Sequence, residues 1–328
     1  MGSNYLIKIA IYCSAGVELG YGHLIRIVSL LQEVPEGYEI KIFPNINNKD
    51  LHLFGELRRN IKLFDDSIQI MTAIKKFKPS IMLWDTVDCE ERLFFEIKGN
   101  VSLNISISPI FNYMKYVDVL FTRGEKPKLP NSVQIYHGLE YVLFNKNCFK
   151  ISDSTYENNL KMPFLNIGIS MGGGDAENHT LKILKNITEI KQSLTLYIIL
   201  GEGYIHSYED LLNTIKVNNR HEIIIAKSNR SMWRILSNCS LVILAGGITS
   251  IEAVYAGMPA INLFEEKKLL NNSPNSILFQ KKASLAIVED FKGNFQKLKD
   301  LIIKLNYSRN LLLNIRGNSK GLLNKNAP

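Results

Sequence analysis

The chain has 328 residues, 46% of them hydrophobic and 21% charged, which excludes an extended disordered protein and is long for a single core, so two domains are expected. A mean hydropathy of −0.02 suits a water-soluble protein, and four cysteines (Cys13, Cys89, Cys148, Cys239) without CxxC or Cys/His spacing exclude a zinc centre or disulfide framework and favour a reducing cytoplasm. The formal charge of +8 is scattered over many segments without a basic-aromatic cluster, so it reads as a solvated surface and not as a nucleic-acid footprint.

In chain order, the apolar run from Tyr5 to Cys13 is too short to span a bilayer and reads as a first β-strand. Further β-branched runs at Glu39 to Phe43, Ile81 to Trp84, Val101 to Ile107 and Val117 to Phe121 alternate with helical patterns at His23 to Gln32, Ser67 to Phe77 and Glu90 to Ile97. This alternation predicts a parallel sheet with helices on both faces. The polar stretch Asn145 to Pro163 is expected to be the linker. Beyond it the same grammar returns, with strands at Leu165 to Ser170, Leu196 to Leu200, Glu222 to Ala226, Leu241 to Leu244 and Ala260 to Leu263. The expected fold is therefore α/β, two doubly wound Rossmann-like domains (1–150 and 151–315) with a ligand cleft between them, followed by a frayed polar tail (316–328). The helical pattern from Phe295 to Ile315 is expected to cross back and brace the first domain.

Three loops carry candidate chemistry. Gly20-Tyr21-Gly22-His23-Leu24-Ile25-Arg26 follows the first strand; its glycines permit a tight turn and close approach of an anion to a helix start, and His23 is a candidate general base. The spacing lacks the third glycine of a dinucleotide fingerprint, which argues against a dehydrogenase. Ser170-Met171-Gly172-Gly173-Gly174-Asp175 and Leu244-Ala245-Gly246-Gly247-Ile248-Thr249-Ser250 both leave strands for helices, the setting in which backbone N–H groups cradle phosphate. Glu252 lies one turn into the second of these helices, placed to accept from ribose hydroxyls or simply to suit the dipole. Asp85 closes a strand and faces the cleft or caps a helix. Arg26 is expected to pair with acids or phosphate, and His179 is the remaining histidine near a glycine loop.

Taken together, GYGHLIR, SMGGGD and AGGITSIEAVYAGMPAINL resemble the MurG-like branch of the GT-B proteins, and within it the PseG/SpsG family, which includes the UDP-sugar hydrolase of pseudaminic acid biosynthesis. The similarity runs from the first strand to beyond Leu263 and takes in Trp84-Asp85, His137 to Tyr141 and Trp233 to Asn238. It implies His23 as the base that activates water, Gly20, Gly22, Met171, Gly172, Gly173 and Gly174 near the diphosphate, and Ala245, Gly246, Gly247, Thr249 and Ser250 holding phosphate. It further implies Glu252 on the ribose and the segment Ser228 to Met232, with Asn229 and Met232, against the uracil. A UDP-sugar is the implied partner, with no metal and no other cofactor.

The chain also departs from the hydrolases. Tyr12 and Ser14 stand where they carry a basic and an acidic residue, Thr86-Val87-Asp88 where a tyrosine follows the aspartate, and Phe264 to Lys268 where they have an asparagine-glutamine pair. Three readings follow. They are a nucleotide-sugar hydrolase, a glycosyltransferase with a glycan, protein or lipid acceptor and a peripheral place at a membrane, and a nucleotide-binding module without chemistry. Sugar, acceptor, stereochemistry and oligomeric state are not written in the sequence.

Overall fold

The computed structural model describes residues 6–16, 20–47, 61–143, 145, 147–227, 232–271 and 273–323; Asn229 and the rest of Ser228 to Ser231 lie outside these. The chain divides into two compact units, Met1–Leu143 and Phe144–Asn326.

The first unit runs β1 (Ile7–Ser14), α1 (Gly22–Leu31), β2 (Tyr38–Asn45), α2 (Ser67–Phe77), β3 (Ile81–Asp85), α3 (Glu91–Lys98), β4 (Leu103–Ser106), β5 (Val119–Thr122) and β6 (Gln134–His137). All strands pair in parallel in the order β2-β1-β3-β4-β5-β6. Both faces are covered, which is why β1 is apolar at successive positions: Ile9, Ile11 and Cys13 pack with Leu24 and Ile27 of α1, while Ala10 and Tyr12 pack with Trp84 and Phe94 on the other face. Helix α2 has the boundaries expected from sequence because both ends are written locally. The Asp66 side chain accepts from Gln69 N, and Lys78 closes the helix in the left-handed conformation.

The second unit contains α4 (Asp153–Lys161), β7 (Leu165–Ser170), α5 (His179–Ile187), β8 (Leu194–Leu200), α6 (Tyr208–Lys216), β9 (Glu222–Lys227), α7 (Met232–Leu236) and β10 (Leu241–Leu244). It continues with α8 (Ile248–Ala256), β11 (Ala260–Phe264), α9 (Lys267–Asn271), α10 (Ser276–Gln280), β12 (Leu285–Val288), α11 (Gln296–Tyr307) and α12 (Asn310–Ser319). Its parallel sheet has the order β12-β11-β10-β7-β8-β9.

Three segments differ from the sequence expectation. Within the expected linker, Ser152 caps α4 by accepting from Thr155 N, and the buried Tyr156 donates to the Ser240 carbonyl at 2.8 Å, so this stretch is a docked helix. Helix α11 buries Leu298, Ile302 and Leu305 in the core of the second unit, where its apolar stripe is used. The expected frayed tail begins inside α12: Arg316 is buried, donates to the Ile151 carbonyl at 2.6 Å and to the Gly257 carbonyl, and pairs with Asp153. A polar composition concealed this, because the guanidinium satisfies backbone carbonyls that a sequence does not show. No helix among the described residues is long and apolar enough to cross a membrane.

In each sheet the direction of winding reverses once. In the first, β2 lies on one side of β1 and β3 on the other; in the second, β8 lies on one side of β7 and β10 on the other. Sheets of this kind bind ligands at the carboxyl ends of the strands flanking the reversal.

Candidate functional site

In the first unit the reversal brings together the end of β1, the start of α1 and the end of β3, with Cys13 and Asp85 paired in register. Gly20 takes φ +77°, a conformation that suits glycine, and returns the chain into α1, whose first residue is Gly22. One residue into the helix, His23 Nδ1 lies 2.7 Å from Asp85 Oδ1. Arg26, one turn further, donates through Nε to Asp85 Oδ2 at 3.1 Å and through Nη2 to Oδ1. Ser108, beyond the end of β4, donates its hydroxyl to Asp85 Oδ1 at 2.8 Å.

Asp85 is fully buried. Burial pushes its carboxyl up, but the Arg26 charge and the hydrogen bond and charge of His23 outweigh it and bring it down to about 2. A carboxylate at 2.7 Å accepts a charge-assisted hydrogen bond from Nδ1–H in the tautomer that leaves Nε2 bare. Asp85 is thus paired with His23 and Arg26 and is not a helix cap; that Arg26 pairs with an acid is as expected. The charge set extends to Arg123 after β5, whose guanidinium is pulled down to about 9 by burial and by Arg26, against the opposing effect of Asp85. Sequence reasoning did not find Ser108 or Arg123, because strand order, not spacing, sets β4 beside β3 and β5 next to β4.

In the second unit Ser170 and Leu244 are paired in register, so both glycine loops leave the sheet side by side. They are not equivalent. Asp175 accepts from His179 N at 2.7 Å and Thr180 N at 2.9 Å, placing a carboxylate on the start of α5, where an anion would otherwise sit. Helix α8 has Gly247 as its N-cap, with no side-chain cap hydrogen bond and no acid in its first turn, so its N-terminus has no side chain capping it. Buried Asn275 donates to the carbonyls of Gly246 and Gly247 at 2.8 and 2.7 Å and fixes the loop.

The loop after β7 is held from β8. Gly203 N donates to the Gly173 carbonyl at 3.0 Å, and a methyl on Gly201 would overlap that carbonyl. Gly172 at φ +90° is exposed; Met171 and Gly174 are buried. Ser250 is buried and donates to the Asn262 side chain, so Ala245, Gly246, Gly247 and Thr249 form the accessible part of the second loop. Glu252 is buried too, its two oxygens accepting from Trp233 Nε1 at 3.0 Å and Asn145 N at 3.1 Å. Burial raises its carboxyl above the ordinary range, in spite of these two hydrogen bonds. Met232 opens α7. His179 packs against Phe291 with the two rings tilted at 45°, which gives it a packing role. Among the described residues no group of His, Cys, Asp or Glu is arranged to hold a metal ion.

No family model matches the chain. By sequence it is 24% identical over 276 residues to the uncharacterized protein MJ1062 of Methanocaldococcus jannaschii, covering 80% of this chain and 56% of that protein, so the chain spans little more than half the length of this relative. It is 22% identical to the spore coat polysaccharide biosynthesis protein SpsG of Bacillus subtilis, over 78% of this chain and 77% of SpsG. Among solved structures, MurG of Acinetobacter baumannii superposes with a TM-score of 0.66 at 13% identity, over 98% of this chain and 96% of MurG. HepE of Anabaena, in complex with UDP and glucose, gives a TM-score of 0.60 at 11% identity, over 96% of this chain and 94% of HepE. With two parallel six-stranded sheets wound about β1 and β7, the chain has the GT-B fold, two Rossmann-like domains in series.

Proposed function

We propose that the chain is an enzyme acting on nucleotide diphosphate-sugars, and specifically a hydrolase that releases UDP from a UDP-linked amino-deoxy sugar, in the manner of the PseG/SpsG hydrolases of surface-polysaccharide and pseudaminic acid synthesis. The observation that carries this reading is His23 Nδ1 held at 2.7 Å on the buried carboxylate of Asp85, which leaves Nε2 as a base. Nε2 takes a proton from water as the water oxygen bonds to the anomeric carbon. The bond from that carbon to the glycosidic oxygen breaks, and its electron pair leaves with the β-phosphate of UDP. Charge on the departing phosphate falls to the backbone N–H groups of Ala245 to Thr249 and the open start of α8. The Met171 to Gly174 loop offers close backbone approach, with Asp175 disfavouring a second full charge there. The UDP held by HepE and the name of SpsG support the substrate class.

A glycosyltransferase is the second reading. It is favoured by the neutral Tyr12, whose hydroxyl is bound by Asn45 at 3.3 Å, in place of the charged strand residues of the hydrolases. Exposed Phe111, and exposed Tyr116 with Lys115 over its ring, suit a lipid-linked acceptor at a membrane surface.

Phosphorus NMR of the protein with UDP-, GDP- and CMP-sugars, with and without acceptors, tests both. UDP appearing without acceptor and lost in His23→Ala is the expected result. Release that depends strictly on an acceptor would assign a transferase, and UDP binding without turnover would leave only a binding module.

A further inference from the structure

The Asp85 cluster contains more charge than a base and its orienting acid require. Arg26 Nη2 lies 2.8 Å from His23 Nδ1 while also donating to the oxygen, Asp85 Oδ1, that faces that nitrogen. Both nitrogens cannot donate to each other, so the three groups admit two neutral proton arrangements. In one, Nδ1–H donates to Asp85 and Nε2 is bare; in the other, Nδ1 accepts from Arg26 and Nε2 carries the proton. The second places the Nδ1 lone pair 2.7 Å from a carboxylate oxygen, a repulsive contact, whereas the first is charge-assisted. A third state, the imidazolium, would put two cations 2.8 Å apart with one carboxylate between them, and Arg123 adds a further cation within range of Arg26 and Asp85.

We infer that Arg26 is a positioning residue: by matching the charge of Asp85 it holds His23 as the neutral imidazole protonated on Nδ1, the form whose Nε2 accepts a proton. The inference rests on the reading of His23 as a base and deepens it. The groups facing this cluster are His23 and Arg26 from α1, Asp85 from β3, Ser108 from beyond β4, Arg123 from beyond β5, and Cys13 from β1. Burial, and then the Asp85 charge, push the Cys13 thiol well above its ordinary range, so it stays neutral. With Arg26 removed, Asp85 loses the one cation that donates to both of its oxygens and keeps only the charge influence of Arg123, and a proton on the imidazole takes the place of the lost donor charge.

The test is nitrogen-15 NMR of the full chain labelled in histidine, without substrate, at neutral pH, with the His23 signals assigned by their absence in His23→Gln. In the wild type we expect a protonated Nδ1 and a bare Nε2; in Arg26→Gln, both nitrogens protonated. Ser108→Ala, which removes a neutral donor, and Arg26→Lys, which keeps the charge, are expected to retain the neutral ring and keep the inference testable should Arg26→Gln not fold. A wild-type ring protonated on Nε2, an Arg26→Gln ring that stays neutral, or an Arg26→Lys ring that becomes protonated would overturn it. Where UDP release is measurable, Arg26→Gln should lower it at pH 7 by roughly tenfold or more and recover as pH rises, which a merely structural loss would not do. An Nδ1–H wild type in a protein that releases no UDP would sink the hydrolase reading and leave this inference standing.

Discussion

Burial alone pushes the Asp85 carboxyl up; Arg26 and His23 outweigh this and bring it down to about 2. Because that lies below the ordinary value near 4 of an unfolded aspartate, the folded state binds fewer protons in between, and stability rises with pH across that window. The contribution is complete above pH 4 or so and is lost as pH falls through about 2. Asp85→Asn removes the carboxylate and leaves Arg26 buried without its counter-ion, at a cost of about 3 kcal/mol at pH 7. Urea unfolding should show that gap, and it should narrow as the buffer is taken toward pH 3; a gap independent of pH would mean that Asp85 is not ionised in the folded chain. The same variant should lose UDP release by about 10³-fold, since an amide no longer fixes the tautomer of His23. At Glu252 the balance tips the other way, burial prevailing over two hydrogen bonds. Trp233→Phe takes one of those donors away and leaves part of the buried indole's space unfilled, so at least about 1–3 kcal/mol of stability should go with it. An unchanged melting temperature would mean that Glu252 finds another partner.

At the scale of loops and helices, the glycines separate into those needed by the fold and those left open. Gly246 has φ +74° and a methyl there would strike the Phe264 ring; Gly247, its neighbour and the N-cap of α8, has open space around its missing side chain and a negative φ. Gly246→Ala should therefore cost stability outright. Gly247→Ala should leave the melting temperature within the change of about 0.5 kcal/mol usual for a surface substitution, yet weaken UDP binding about tenfold or more by calorimetry, because its methyl stands where a phosphate would approach. Undiminished UDP affinity would remove the phosphate from this loop. Much of this arrangement could be read in the sequence: the strand runs flanking both glycine loops are apolar and bounded by small residues, and α2 carries both of its end signals. What could not be read depends on partners distant in the chain. Ser108 reaches Asp85 only through the order of strands, Asn275 reaches the Gly246 and Gly247 carbonyls from a segment beyond β11, and Gly201 confines Gly173 from the next strand. The edge strands β6 and β12 are four residues each, too short for alternation to mark them, and the capped helix α4 was hidden in a polar stretch.

Across the whole molecule, each sheet has its own core: Leu165 to Leu312 supply one, and the residues packed on the two faces of β1 supply the others. Separate cores mean that a ligand bound by one unit stabilises the amides of that unit first. The proposed division of labour puts UDP on the loops after β7 and β10, and the base on α1. UDP at about one hundred times its dissociation constant adds roughly 2.7 kcal/mol to whatever opening it opposes, about a hundredfold slowing of exchange for amides that need that opening. Hydrogen exchange on the full chain should therefore slow at Leu165–Ser170, Leu241–Leu244 and Ile248–Ala256, and stay as it was at Ile7–Ser14 and Ile81–Asp85. An intact UDP-sugar in His23→Ala, in which the base is gone but the nucleotide loops are unaltered, should extend the slowing to Gly22–Leu31 and the end of β3, since only the sugar has reason to contact them. Equal slowing in both units with UDP alone would mean that the first unit shares in nucleotide binding, and His23 would then have to be read as a phosphate ligand, not as the base that activates water.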